Sequence, residues 1–553
     1  MIDNNKDAQV QSSALASRYP DSMRAIFAAF AHHGKPLRGL MSTPKSSVFQ
    51  GRFGRMFRSL PAATYGKTDA ESRSALMTLG GKMTSSFDPP KDGFDAEESG
   101  IPALYTYFGQ FIDHDITFDP MTTLIQHSDP DAVTDFRTPA FDLDNVYGRG
   151  PGDQPYMYDN GGPKFLLGDP LANKAPDLPR NNANPRRALI GDPRNDENSI
   201  VSQLQCLMLR LHNRAADDNK TLDFPALQRL VRWHYQWVVI YDFLLKIVSA
   251  PVLDALKTDG RYDKAKLKFF HWKNEPFMPV EFSVAAYRLG HSMIRPGYRL
   301  NDNDATLLPI FPIPPNTFPE IPAGIPEGLT GFQEMKKNRG IDWGRFIDLE
   351  GDVRPYGDDP DKVKPANAAM KSRLQFAYRI DTSVVTPLSV LPSSVASDPP
   401  PSLPQRNLIR GFELGLPTGQ DVAHAMHVTP LDDTKILIGK AVDAPGEGDV
   451  LGTIADIPEL AAFKGKCPLW TYVLAEAFQH KADLKIPVTE QKQISTPQLG
   501  PVGGRIVAEV FLGMMFGDND SFLVAEPNWT PSIRDKGTNF ALRDLVAYAL
   551  SKG

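Results

Sequence analysis

The placement of 49 prolines in 553 residues limits this chain more than any other feature. Proline has no backbone donor and clashes inside a helix, so it excludes helix interiors and central strands. Here the prolines crowd into loops, notably 309–326 and 387–404, between segments whose apolar residues recur at helical spacing. Those segments are 104–112, 200–215, 224–244, 280–293 and 505–515. A shorter helical stretch is expected at 22–32, convincing strands are few, and no internal repeat or Gly/Ser linker divides the chain. The pattern predicts a mainly α protein, a single large helical domain over 75–553 with long irregular loops and little β, preceded by an arm or cap over 1–74.

Composition narrows the function classes. With 41% hydrophobic and 23% charged residues the chain is of globular type. Its net charge of -6 is spread without basic or acidic blocks, so neither nucleic acid nor a charged membrane surface is an expected partner. The longest apolar run, 237–248, is broken by Asp242 and Lys246, and no membrane span is expected. The polar first residues lack the apolar region of a secretory signal, which predicts a cytoplasmic chain or one exported without a leader. Two cysteines, Cys206 and Cys467, exclude a disulfide framework and are expected as buried thiols. Oligomeric state is not legible.

Several motifs carry chemistry. In Phe108-Gly109-Gln110-Phe111-Ile112-Asp113-His114-Asp115, Gln110 and His114 are four apart and share one helix face. A neutral imidazole there can take a proton from one peroxide oxygen and return it to the other, with Gln110 orienting a water or halide beside it. In Thr138-Pro139-Ala140-Phe141-Asp142-Leu143-Asp144, alternate positions 138, 140, 142 and 144 put hydroxyl, carbonyl and carboxylate oxygens on one side of an extended loop. Such oxygens suit calcium. Arg194, in Asp192-Pro193-Arg194-Asn195-Asp196-Glu197-Asn198, offers a permanent charge for the developing charge of a breaking O–O bond. His291 sits beside Gly290 in an apolar helical stretch, where a flat ring can approach closely. Taken alone, each motif also has an ordinary structural reading: a helix-end histidine, a turn, a surface ion pair of Arg194 with Glu197, a core histidine. His212 reads as structural, His32, His33 and His480 as surface residues, and His424 with His427 as a weak metal pair without a third ligand. The sequon at Asn528-Trp529-Thr530 has meaning only in a secretory pathway.

Together and in this order, the motifs resemble those of the animal haem peroxidases, the peroxidase-cyclooxygenase superfamily, over roughly residues 75 to 545. Gly-Gln-Phe-Ile-Asp-His-Asp resembles the family's distal motif, and Tyr-Arg-Leu-Gly-His-Ser-Met-Ile resembles the proximal helix of its peroxidasin-like members. The resemblance implies haem b with His114 as distal acid-base, Arg194 as catalytic arginine and His291 as iron ligand. It implies Asp113 and Glu197 as carboxyls that can be esterified to the haem, and Arg288 and Arg410 as propionate partners. Asn407, in Asn407-Leu408-Ile409-Arg410, would accept the hydrogen bond of His291. Asp115 would join Thr138, the Ala140 carbonyl, Asp142 and Asp144 as calcium ligands, with Asp144 where myeloperoxidase-like members have serine. Asn198 replaces their methionine, so no sulfonium link to haem is expected.

The implied activity is a peroxidase that uses hydrogen peroxide to oxidise small aromatic donors or halides through an oxo-ferryl intermediate, with a place in the response to oxidative stress. A fatty-acid dioxygenase on the same scaffold is the rival. Its relatives carry a radical-forming tyrosine three residues before the proximal histidine, where this chain has Arg288. Tyr287 is one step further back, turned about 100° on a helix. A catalytically silent haem- or calcium-binding protein is the remaining alternative.

Overall fold

The computed structural model of the chain describes residues 51–551 except 89, 91–94, 119–133, 136, 160–161, 318, 320, 350–353, 357–358, 365–373, 441–449 and 486–492. The helix expected at 22–32, with His32 and His33, lies outside the described residues. The longer helices are α1 (Asp69–Lys82), α2 (Leu104–Ile116), α3 (Ser199–Asp218), α4 (Phe224–Val238), α5 (Leu403–Glu413), α6 (Leu469–Phe478), α7 (Gly503–Gly517) and α8 (Leu542–Leu550). Their starts follow local chemistry. The side chains of Thr68, Asn198 and Asp223 accept backbone amides at the N-termini of α1, α3 and α4, and Pro225 occupies the first turn of α4, where its missing N–H costs nothing.

Buried on nearly every side, α6 and α7 form the middle of the molecule, as apolar composition all round a helix requires. The buried Glu476 carboxylate on α6 accepts the Val502 and Gly503 amides at 3.0–3.1 Å, which joins α6 to the start of α7. A hydrophobic core then runs from Phe53 to Ala549, with a small separate cluster of Leu374, Phe376 and Ile494. The α1 helix crosses the boundary placed at residue 74 and lies on α5, where a Cβ at Gly80 would come within 2.9 Å of the Gln405 backbone.

Strands are short, as the prolines require. β1 (Gly51–Gly54), β2 (Glu98–Pro102), β3 (Thr134–Asp135), β4 (Met278–Pro279), β5 (Phe376–Tyr378), β6 (Lys481–Lys485) and β7 (Gln493–Pro497) form only small sheets of two or three strands. β1 runs antiparallel to β3 and parallel to β4, β5 pairs with β2, and β6 with β7 forms a hairpin. Among the described residues no helix is long and apolar enough to cross a membrane. Cys206 and Cys467 are buried thiols that form no disulfide, as expected.

Two helical expectations change in detail. The segment 224–244 is helical but passes through a π-turn at Val239–Phe243 before a final α-turn, Leu244–Ile247. The segment 280–293 is not a regular α-helix: a π-turn, Glu281–Ala285, breaks at Ala285 (φ -129°, ψ -77°) into a 3-10 turn, Ala286–His291. Side chains take carbonyls that an α-ladder would need. Arg288 Nε donates to the Ser283 carbonyl at 3.1 Å, and Trp470 Nε1 to the Arg288 carbonyl at 3.3 Å.

Candidate active site

A cavity of about 340 Å³ opens between α2, the turn before α3, the 280–294 segment and the proline-rich loops. One face of α2 supplies Gln110, Asp113, His114 and Thr117, spaced one helical turn apart, while Phe111, Ile112 and Ile116 point into the core. Arg194, Glu197 and Asn198 line it from the turn, and Arg288, Gly290 and His291 from the 3-10 segment. Part of its apolar lining comes from the loops, Ile310 and Phe311 from one and Leu388, Leu391 and Val395 from the other, and the rest from residues such as Phe243, Val280, Val284, Leu289, Met293 and Leu414. The structure therefore gathers the expected distal and proximal residues, far apart in sequence, around one space.

His114 is buried, and burial followed by the charge of Arg194 lowers its pKa to about 3, which keeps the ring neutral. Its Nδ1 lies 2.7 Å from Asn195 Oδ1. Arg194 is held in place. Its Nε and Nη2 donate to Asp192 at 3.1 and 2.8 Å, its Nη2 also reaches the Thr117 and His114 carbonyls at 2.6 and 3.1 Å, and the guanidinium stands 4.5 Å from the Phe118 ring. The Asp192 carboxylate is fully buried and also pairs with Arg137. Burial pushes its pKa up, but Arg194 and Arg137 outweigh it and hold the group well below the usual carboxylate range. Glu197 Oε1 accepts from Gln110 Nε2 at 2.6 Å, yet burial still raises this carboxyl to about 7. Asp113 is raised by burial as well. Asn198 has two roles: its Oδ1 caps α3 and its Nδ2 faces Gln110 Oε1 at 3.4 Å.

On the proximal side, burial, then the nearby Arg288 charge, lowers His291 to about 3. Asn407, on α5, reaches it as expected, but with the amide turned the other way. Its Nδ2 faces His291 Nδ1 at 2.8 Å, so Asn407 donates rather than accepts. The reason is Arg288, which can only donate and takes Asn407 Oδ1 at 2.7 Å. Arg410 lines the same cavity. Tyr287 also lines it, stacked on Phe282 at 4.7 Å, and its hydroxyl donates to the Gly109 carbonyl at 3.1 Å.

Behind α2, Asp115 points away from the cavity toward the 138–144 loop. Its two carboxylate oxygens are buried without a hydrogen bond of normal geometry, although the Leu143 amide and Tyr235 hydroxyl face them. Burial and then Asp144 raise Asp115 to about 8, and burial, Asp144 and Asp115 together hold Asp142 well above the carboxylate range. Thr138 Oγ1 stands 3.5 Å from Asp144 Oδ2, and Asp142 Oδ1 accepts the Asp144 amide at 3.2 Å. Among the described residues no three His, Cys, Asp or Glu side chains form a ready metal cluster. His212 is structural, as expected, between the Tyr147 hydroxyl and the Pro163 carbonyl at 3.0 and 2.8 Å, while His424 and His427 are exposed.

Sequence reasoning passed over Asn195, Gln205, Asp192 and Arg137. Asp192 and Asn195 flank Arg194 in the motif itself, and that adjacency was the available signal. Nothing local in the sequence points to Gln205 or Arg137.

The two-histidine cavity thus sits in a mainly helical chain with long loops. The family model that matches is that of the animal haem peroxidases, over residues 126–317, which include Thr138–144, Arg194, Glu197 and His291. Peroxidase A from Dictyostelium discoideum has the same fold, with a TM-score of 0.54 at 14% identity over 90% of this chain and 95% of that one. Fatty acid alpha-dioxygenases from Oryza sativa (TM-score 0.45, 12% identity, 86% and 75% coverage) and Arabidopsis thaliana (0.46, 12%, 89% and 74%) are similar at a lower level. No curated protein matches by sequence.

The residues present fit haem. Two neutral imidazoles reach one cavity with apolar lining, and a Cβ added at Gly290, beside His291, would meet nothing within 4 Å. Among the described residues none fills that space.

Proposed function

We propose that the chain is a haem peroxidase that uses hydrogen peroxide to oxidise small aromatic donors or halides. The observation that carries the reading is the neutral His114 beside the pinned Arg194 in the cavity that also receives His291. Storage of haem needs neither group. His291 would ligate the iron through Nε2, which requires its proton on Nδ1 and the Asn407 amide turned to accept it, and Arg288 and Arg410 would face the propionates. Haem, when bound, supplies the redox chemistry that takes up the two oxidising equivalents of peroxide. The chain's own residues handle protons and charge. His114 Nε2 accepts the proton of the inner peroxide oxygen and delivers it to the outer one, which leaves as water. Arg194 stabilises the negative charge that grows as the bond breaks, and its fixed position means little reorganisation is needed.

Asp113 and Glu197 are the groups for covalent attachment. Both carboxyls are raised by burial, and an ester, being uncharged, removes the cost of an ionised carboxylate at that depth. Calcium at Asp115, Thr138, the Ala140 carbonyl, Asp142 and Asp144 answers a similar problem. A divalent cation would neutralise three mutually repelling carboxylates, the buried Asp115, which lacks a normal hydrogen bond, and the half-buried Asp142 and Asp144.

The fatty-acid dioxygenase remains the second reading because Tyr287, although not at the position of the relatives' radical tyrosine, does line the cavity. The test is haem reconstitution followed by absorption spectra and stopped-flow mixing with hydrogen peroxide, then separate incubation with a phenol, with bromide and with linoleate. Fast reaction with peroxide and turnover of phenol or bromide are expected. Oxygenated linoleate formed without added peroxide would move the assignment to the dioxygenase.

A further inference from the structure

Behind the distal histidine runs a row of buried amides whose direction is fixed at its far end. Asn145, in the short helical turn Asp144–Tyr147, presents its backbone carbonyl to Gln205 Nε2 on α3 at 3.1 Å. Gln205 Oε1 accepts from Asn195 Nδ2 at 2.8 Å, and Asn195 Oδ1 lies 2.7 Å from His114 Nδ1. Asn145, Asn195 and Gln205 are wholly inaccessible to solvent, so no water can substitute for a missing partner.

A backbone carbonyl can only accept. Gln205 must therefore turn its NH2 toward Asn145 and its oxygen toward Asn195. Asn195, meeting that oxygen, must offer its NH2 to Gln205 and its own oxygen to the ring. The ring nitrogen at Nδ1 must then be the donor, and in the neutral imidazole this leaves Nε2 without a proton. Gly191 helps hold the anchor, because a Cβ there would come within 2.7 Å of the Asn145 carbonyl oxygen. The Asn145 side chain in turn donates to the Phe111 carbonyl at 3.1 Å, which ties the anchoring loop to α2 itself.

We infer that Asn195 and Gln205 are positioning residues that fix His114 as the Nδ1–H tautomer and present a bare Nε2 to the cavity. The inference rests on the peroxidase reading only for its consequence, since the tautomer itself is a property of the folded chain. The relay is made of amides, which neither gain nor lose protons at ordinary pH. A proton taken by Nε2 therefore has no exit to the rear and returns to the cavity, which acid-base work on one bound peroxide requires.

The test uses the full chain with 15N-labelled histidine, first haem-free. Ring nitrogen shifts distinguish a protonated from a bare nitrogen, and a His114→Gln variant assigns the signal among the eleven histidines. Wild type should show protonated Nδ1 and bare Nε2 at His114; the nearly isosteric Asn195→Leu should lose that preference, and Gln205→Leu should weaken it. In reconstituted protein, the second-order rate with hydrogen peroxide should fall about tenfold or more in Asn195→Leu, while the rate with a phenolic donor in the following step stays within about twofold. A general loss of structure would lower both rates. Protonated Nε2 in the wild type overturns the inference whatever the variants do, as does an unaltered tautomer in Asn195→Leu. Should the tautomer be as stated but wild type fail to react with peroxide, the peroxidase reading falls and the assignment of the relay stands.

Discussion

At the scale of single residues, burial disfavours charge on both histidines and on Glu197, while Arg194 and Asp192 stay ionised as a pair. His114 and His291 are lowered to about 3, and Glu197 is raised to about 7. In holoprotein, His114→Ala should slow the peroxide step by about 10²–10⁴ with haem absorption retained, read by stopped flow. His291→Ala should instead disturb haem binding, read by titration of haem into the protein. Glu197 gives a pH dependence with a definite sign. The folded chain holds its proton between pH 4.5 and about 7, where the unfolded chain has lost it. The haem-free protein is therefore stabilised below that window, loses stability as pH rises through it, and levels off above. Glu197→Gln should remove that part of the slope, at most about 3 kcal/mol and less where cavity water reaches the carboxyl, measured by urea unfolding at pH 5 and pH 8.

At the scale of elements, α2 is held from both sides. Its cavity face is tied through His114 and Thr117 to the turn before α3, and its rear carries Asp115 to the 138–144 loop. Asp192 is central to the first tie, because it balances Arg137 and Arg194 at once. Asp192→Asn should cost on the order of 3 kcal/mol in urea unfolding, since it leaves the buried Arg137 uncompensated. The second tie predicts opposite signs with and without cation. Calcium at a hundredfold excess over its Kd should stabilise wild type by about 2.7 kcal/mol. Asp115→Asn should melt higher than wild type in chelator, because one of three repelling carboxylates is gone, yet gain nothing from calcium; differential scanning calorimetry separates the cases. The helices themselves were legible because their apolar spacing and N-caps are local. The 280–293 segment was not, because what breaks it, Trp470 and the Arg288 side chain, acts from across the fold or through the tertiary turn.

At the scale of the whole molecule, the mainly helical architecture and the loop positions follow from the prolines, and two thiols without a disulfide follow from two distant cysteines. Reducing agent should leave the melting temperature of the protein unchanged, a thermal scan with and without dithiothreitol being sufficient. The motif residues of the site were legible because each sits in a short string with its own chemistry. What joins the strings was not: Gln205 and Arg137 gain their roles only where α3, the 138–145 loop and the turn at Asp192 come together. The orientation of Asn407 was hidden for the same reason, since it depends on which neighbour takes the amide oxygen.

The Asn145 carbonyl at the end of the distal relay belongs to the main chain. Side-chain replacement can cut the relay at Asn195 or Gln205, but no codon change deletes that carbonyl or makes it a donor. The sense of the relay is therefore inherited with the loop's path. While Asn195 and Gln205 both remain, that carbonyl holds the base in a single tautomer.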